Sequence, residues 1–63
     1  MGLTAKEISI LKLMAKGRLR RQVADDLHIT DNTVKTHLVH VYRKLHCRNR
    51  VEAIVIAMEQ KII

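Results

Sequence analysis

The stretch RRQVADDLHITDNTVKTHLVHVYR, residues 20–43, decides the fold of this chain of 63 residues. Its first part is predicted to be a helix from about Arg20 to Leu27, because apolar residues recur there on one side and charged residues on the other. A turn at residues 28–30 follows, and its last residue, Thr30, is of a type that commonly caps helices. A second helix is therefore predicted to start there. Two helices joined by so short a turn must cross steeply.

The second helix of this stretch, predicted from about Asp31 to Leu45, has two clearly different faces. At about 100° per residue, one stripe predicted to face inward contains Val34, Leu38, Val41 and Leu45. The opposite side carries Asn32, Lys35, Thr36, Val39 and Arg43. An amide, a hydroxyl, two cations and an exposed valine are groups that read base edges and thymine methyl groups in a DNA major groove. We therefore expect this face to contact bases.

Two further helices are predicted outside this stretch. The first begins with a capping box formed by Thr4 and Glu7 and ends near Lys16, just before a glycine. The last begins at Asn49, another capping residue, and continues to about Lys61. No proline, flexible linker or repeat separates the helices. The chain is therefore predicted to be one all-α domain of four helices.

The last helix is apolar on more than one side. One face of small residues suits close packing and contains Ala53, Ile54 and Ala57. A neighbouring stripe contains Val51, Val55, Met58 and Ile62. A thin domain buries one such face and not obviously both, so the spare stripe predicts symmetric self-association as a homodimer. A wholly intramolecular role for the stripe is the alternative.

The composition points to a polyanionic partner. Twelve lysine and arginine residues against six acidic residues give a net charge of +6 and a pI near 10.1. A basic surface that only confers solubility is the alternative, but so high a charge on so small a body favours nucleic acid. The single aromatic residue, Tyr42, argues against single-strand binders and RNA modules, which stack bases on several rings. Double-stranded DNA is the expected partner.

Other protein classes fit the sequence less well. One cysteine, no secretory leader and no apolar run of about 20 residues predict a cytoplasmic protein without a membrane partner. His37 and His40 lie one helical turn apart, but no Cys-x-x-Cys or Cys/His pairing supports a zinc site, and Cys47 fits a small buried hydrophobe. A chain this small offers little concave volume for catalysis and has no glycine-rich phosphate loop. We expect no metal, no cofactor and no enzymatic activity.

Three blocks of sequence carry a family resemblance. They are Leu3-Thr4 with Glu7, Ile10-Leu11 and Ala15-Lys16-Gly17; Val23-Ala24-Asp25-Asp26-Leu27 with Ile29-Thr30-Asp31-Asn32-Thr33-Val34-Lys35-Thr36-His37; and Lys44-Leu45 with Asn49-Arg50, Ala53-Ile54 and Ala57. The most specific part is the Thr-Val-Lys-x-His block, residues 33–37. With these motifs the chain resembles the LuxR/FixJ-type helix-turn-helix family, the DNA-binding output domain of many bacterial response regulators and quorum sensors. The resemblance covers nearly all of residues 1–63.

The resemblance implies a function and a set of site residues. It implies sequence-specific binding of double-stranded DNA in transcription regulation, with the third helix in the major groove and a dimer, formed through the fourth helix, on two half-sites. The residues it implies for base reading are Asn32, Lys35, Thr36 and Val39, with Lys35 on guanine. Those it implies for phosphate binding are Arg20, Arg21, Thr30, Thr33 and Arg43. A response regulator of this kind would also contact RNA polymerase.

One departure and two rivals qualify this interpretation. Leu19 stands where the family usually has a Ser or Thr cap, so the start of the second helix is expected to fray or to be capped by water. Region four of a sigma factor shares several of the patterns, although the apolar fourth helix disfavours it. A helical adaptor that binds an acidic protein is the rival from another class.

The start at Met1-Gly2 leads us to expect an excised output domain, with a stand-alone regulator as the alternative.

Overall fold

The computed structural model describes residues 2–63, which form four α helices. They are α1 (Ala5–Ala15), α2 (Arg20–Leu27), α3 (Asp31–Leu45) and α4 (Arg50–Glu59). The described residues contain no strand, and the all-α class is confirmed. The bounds of α2 and α3 agree with those predicted from the sequence. The predicted end of α4 near Lys61 is wrong, because the helix stops at Glu59.

Side-chain caps fix where three of the four helices begin. The Oγ1 atom of Thr4 accepts the amide of Glu7 at 3.2 Å, and the Glu7 carboxylate accepts the amide of Thr4 at 2.8 Å. This is the predicted capping box. Thr30 and Asn49 each accept an amide from the first turn of the next helix, at 3.1 and 3.0 Å. Local side-chain chemistry therefore sets these three starting points.

The start of α2 differs from the other three. Leu19 provides no side-chain acceptor, as the sequence predicts. The side chain of Gln22 reaches back instead, and its Oε1 accepts the Leu19 amide at 2.9 Å. This bond satisfies the Leu19 amide, but the amides of the first turn of α2 receive no side-chain cap, so the expectation that this start frays or is capped by water is not contradicted. Leu19 has the same φ and ψ as the N-cap Thr30, −78° and 157°, so its backbone suits a capping side chain that leucine lacks.

Each helix ends in the same way, with a residue in the left-handed conformation. These residues are Gly17, His28, His46 and Lys61, with φ of 90°, 57°, 56° and 58°. In each case the next amide bonds back to a carbonyl of the last turn: Arg18 to Leu13, Ile29 to Ala24, Cys47 to Tyr42 and Ile62 to Ala57. Such turns satisfy carbonyl groups that a helix end would leave unpaired. After α2, α3 and α4 the residue that follows the turn packs against the core; these residues are Ile29, Cys47 and Ile62.

The core consists of two adjoining clusters. The first joins α1, α2 and α3 through Ile10, Met14, Val23, Ala24, Val34 and Leu38. The second joins α1, α3 and α4 through Leu11, Val41, Ala53 and Ala57. α3 contributes to both clusters, so its inward stripe is held from two sides while its opposite side remains exposed. None of the helices in residues 2–63 is long and apolar enough to cross a lipid bilayer.

The end of the chain corrects one residue of the predicted dimer stripe. Val51, Val55 and Met58 lie on the exposed side of α4. Ile62 does not continue this stripe, because the left-handed Lys61 turns the chain and the Ile62 amide bonds to the Ala57 carbonyl at 2.8 Å. The side chain of Ile62 is half-buried against the second core cluster. The assignment of Ile62 to the spare stripe is therefore wrong.

Candidate nucleic-acid interface

The exposed side of α3 presents a continuous set of side chains to solvent. We call Asn32, Lys35, Thr36 and Val39 the reading face. All four are exposed, and Val39 keeps 44% of its surface accessible although it is apolar. On the opposite side of the helix, Val34 and Val41 are fully buried. The predicted division of the two faces is confirmed at these positions.

The hydroxyl group of Thr36 is already used within the helix. It donates a hydrogen bond to the main-chain carbonyl of Asn32 at 3.0 Å. A hydroxyl group has a single proton but two lone pairs. Thr36 therefore presents outward a methyl group and an oxygen that can accept a hydrogen bond, and it has no proton left to donate.

Two threonines at the N-terminal end of α3 share their hydrogen bonds. Thr30 Oγ1 accepts the Thr33 amide at 3.1 Å, and the two hydroxyl oxygens lie 2.8 Å apart. One of the two hydroxyl protons makes this side-chain bond. The other proton remains available to a neighbouring acceptor such as a phosphate oxygen.

The arginines near the start of α2 are not equivalent. Arg18 makes two hydrogen bonds of 2.9 Å to the carboxylate of Asp26, and this bonding raises the pKa of Arg18 and lowers the pKa of Asp26. Arg20 makes one bond of 3.0 Å, from Nε to the carboxylate of Asp31. Arg21, in contrast, is exposed and takes part in none of the three ion pairs found among residues 2–63. Of the phosphate-binding residues expected from the sequence, Arg20 thus has an acidic neighbour.

A partly buried ion pair connects α1 to the far end of α3. Lys44 Nζ lies 2.9 Å from Glu7 Oε1, and the Glu7 side chain is only 3% exposed. Burial raises the pKa of Glu7, but the hydrogen bonds from the Thr4 amide and from Lys44 outweigh it, so the pKa lies below the ordinary value of 4.5. The sequence assigned Glu7 a capping role and placed Lys44 in a family motif, but it did not indicate that the two residues pair. The pair fixes the C-terminal half of α3 relative to α1.

The C-terminal end of α3 holds a basic depression of about 390 Å³. Its walls are formed by His40, Arg43, Lys44 and His46. Within residues 2–63, no acidic side chain lines it, although Lys44 is bonded to Glu7. Of these four residues, only Arg43 is expected from the sequence to bind phosphate. Two histidines lie beside it: His40 is three residues earlier on α3, and His46 is the left-handed residue that ends the helix.

Within residues 2–63, no three His, Cys, Asp or Glu side chains converge on a common point. Cys47 is half-buried against the second core cluster, and this burial raises its pKa. It contributes to the packing of the chain end.

Comparison with known proteins identifies the fold and the family. The family described as bacterial regulatory proteins of the luxR family matches residues 1–57. The transcriptional regulatory protein YdfI of Bacillus subtilis is 43% identical over 61 residues, and the response regulator VraR of Staphylococcus aureus is 39% identical over 61 residues. In both cases the match covers 97% of this chain and 29% of the relative.

A solved structure agrees with these relatives. The response regulator ChrA of a heme-sensing two-component system superposes with a TM-score of 0.96 at 48% identity. The match covers 100% of this chain and 31% of ChrA, so the chain spans less than a third of the proteins it matches. The chain therefore belongs to the luxR family of bacterial regulatory proteins and is a DNA-binding helix-turn-helix domain of the response-regulator type.

Proposed function

We propose that this chain binds double-stranded DNA sequence-specifically, with α3 in the major groove, as the output domain of a bacterial transcriptional regulator. The reading face carries the proposal: four exposed side chains of suitable chemistry lie on one side of a helix whose other side is buried. An α helix fits the major groove, which is about 12 Å wide. The proposed site therefore consists of the side chains on the exposed side of α3.

The chemistry of each side chain favours particular base pairs. Lys35 has only donors and fits the O6 and N7 acceptors of guanine, while Asn32 can both donate and accept, as adenine requires. Thr36 offers an acceptor and a methyl group, which fit the amino group of adenine or cytosine and the methyl group of thymine. Val39 offers apolar contact to a thymine methyl group. The operator is therefore proposed to contain a guanine beside A·T-rich positions.

The proposed phosphate contacts lie at both ends of the reading face. Thr30 and Thr33 share one free hydroxyl donor at the N-terminal end of α3, and Arg20 and Arg21 lie on the adjoining start of α2. Arg43 lies in the last turn of α3, within the basic depression. The 15 residues of α3 extend over about 22 Å at 1.5 Å per residue. Contacts at its two ends can thus engage the phosphates on both sides of the groove.

The exposed stripe on α4 supports the proposal of a homodimer on two half-sites. Val51, Val55 and Met58 are 66%, 48% and 55% exposed, although all three are apolar. They follow each other by four and three residues, so they form one stripe along the helix. A second copy of the same helix would remove this stripe from water. In the full-length regulator, which would work in the cytoplasm, contact with RNA polymerase is part of the same proposal.

Selection from a random duplex library tests the function directly. We expect one enriched motif that contains guanine, repeated as two half-sites with a fixed spacing. The affinity for the selected duplex should fall steeply with salt, with a slope of about −0.9 per neutralised phosphate. A helical adaptor would give no enriched motif, and a domain like sigma region four would enrich a single, unrepeated element. Either result would contradict the proposal.

A further inference from the structure

The surface that is proposed to face DNA contains an acidic side chain. Asp31 is the first residue of α3 and follows the capping residue Thr30. Its side chain is 49% exposed, and its Oδ1 accepts a single hydrogen bond from Arg20 Nε at 3.0 Å. Arg20 is 46% exposed. A residue proposed to bind phosphate is thus already bonded to a carboxylate in the free protein.

The geometry of this pair makes it easy to exchange. A guanidinium group binds carboxylate and phosphate oxygens in the same way, through parallel N–H donors. Asp26 occupies two donors of Arg18 at 2.9 Å each, whereas Asp31 occupies only one donor of Arg20. Exposed ion pairs of this kind are weak. A phosphate that approaches the free hydroxyl of Thr30 or Thr33 would meet both the Arg20 guanidinium and the Asp31 charge.

We propose that Asp31 competes with DNA phosphate for the guanidinium of Arg20, and so lowers the affinity of this domain for duplexes of every sequence. The inference rests on the proposed function, because it assumes that the N-terminal end of α3 faces DNA. Asp31 touches no base in this arrangement. It sets the strength of binding and leaves the choice of sequence to the reading face.

The test is a double-mutant cycle with Asp31→Asn, Arg20→Gln and the combined variant. Binding is measured by fluorescence anisotropy with a labelled mixed-sequence duplex of about 25 base pairs, long enough for two half-sites one helical turn apart. We expect Asp31→Asn to tighten binding about two- to fivefold at low salt, because an exposed ion pair contributes a free energy that corresponds to a change of this size. The slope of log affinity against log salt should become more negative by up to about 0.9. In the Arg20→Gln background the gain should disappear.

A matched control separates this effect from the general charge of the protein. Glu59→Gln removes the same charge from an exposed residue at the end of α4, and it should change the affinity less than Asp31→Asn does. Thermal unfolding of each variant checks that it is folded. Equal gains with and without Arg20 would overturn the proposal, because Asp31 would then act by repulsion alone. Weaker binding by Asp31→Asn would also overturn it, because Asp31 would then position Arg20 for phosphate.

Duplex binding by the parent chain tests the proposed function separately. If the parent bound the duplex with a steep salt dependence and Asp31→Asn changed nothing, only the role of Asp31 would be wrong. If the parent showed no salt-dependent binding to any duplex, the proposed function itself would fail.

Discussion

At the scale of single residues, we expect different side chains to recognise bases and to bind the phosphate backbone of DNA. The reading face carries no aspartate or glutamate, and its lysine takes part in none of the ion pairs found in residues 2–63. The arginines at the start of α2 lie outside this face. Base contacts distinguish sequences, whereas phosphate contacts hold the protein on any duplex. Substitutions at the two kinds of position should therefore have different signatures.

Lys35→Ala is expected to reduce sequence discrimination. A good contact between lysine and guanine discriminates by about 1–3 kcal/mol, so the ratio of affinities for the selected and a random duplex should fall about 5- to 150-fold. The preference should relax at one base pair in a competition assay. Arg21→Ala serves as the contrast, because it should weaken binding to both duplexes by similar factors. An unchanged ratio for Lys35→Ala would show that the reading face is assigned wrongly.

At the scale of elements, the helix ends and one partly buried ion pair hold α2 and α3 in place. At the start of α3 the Thr30 side chain accepts an amide of the first turn, whereas at the start of α2 the only cap bond is the reverse one, from the Leu19 amide to the Gln22 side chain. The pair of Glu7 and Lys44 connects α1 to α3 over a separation of 37 residues along the chain. Each of these features affects stability in a way that can be measured without DNA.

Leu19→Thr is expected to stabilise the domain. Leu19 already has the φ and ψ of the capping residue Thr30, so a threonine hydroxyl there can accept the amide of the first turn without backbone change. A side-chain N-cap contributes about 0.5–2 kcal/mol. Thermal unfolding should show a melting temperature several degrees higher than that of the parent. Leu19→Ala is the control, and equal melting temperatures for the two variants would rule out capping as the cause.

Glu7→Gln is expected to destabilise the domain at neutral pH by about 1–3 kcal/mol, because Lys44 loses its charged partner. The folded state lowers the pKa of Glu7. The stabilising effect of the ionised carboxylate is therefore complete above the ordinary value of 4.5, and it is lost as the pH falls through the lowered value.

Urea unfolding of the parent and of Glu7→Gln over a series of pH values measures this loss. The difference in free energy of unfolding should be constant near neutral pH and should shrink as the pH falls below about 4. Glu59→Gln removes an exposed carboxylate and should give a much smaller difference throughout. A difference between the parent and Glu7→Gln that grew on acidification would contradict the direction of the pKa shift.

At the scale of the whole molecule, one small domain offers two surfaces of different chemistry. The reading face is mostly polar and carries a lysine, whereas the exposed stripe of α4 is apolar. The match covers 29% of YdfI and 31% of ChrA, so the chain corresponds to about 30% of the length of these regulators. If Asp31 limits the affinity of each copy, pairing through α4 would restore strong binding by placing two reading helices on one duplex.

Val55→Asp is expected to weaken binding to a duplex with two half-sites much more than binding to a single half-site. The aspartate places a charge in the middle of the α4 stripe and so opposes pairing of two copies. Ala5→Asp adds the same charge at the first residue of α1 and should lower both affinities by a similar, smaller factor. Equal losses for Val55→Asp on the two duplexes would remove the dimer from the proposal.

The sequence by itself determined what depends on neighbours along the chain. Helical spacing separated the two faces of α3, and cap residues such as Thr4, Thr30 and Asn49 located the helix starts. These features are local, because a cap acts within one turn and a face repeats every 3.6 residues. The spare stripe of α4 was also visible, except for its last member.

Only the tertiary structure decided which distant side chains meet. The burial of Glu7 against Lys44, the bond of Arg20 to Asp31 and the return of Ile62 to the core all depend on how the helices pack. Helical periodicity gives the direction of a side chain around its own axis and contains no information about the neighbouring helix. For this reason the reading face could be proposed from the sequence, whereas the acidic competitor beside it became visible only in the folded chain.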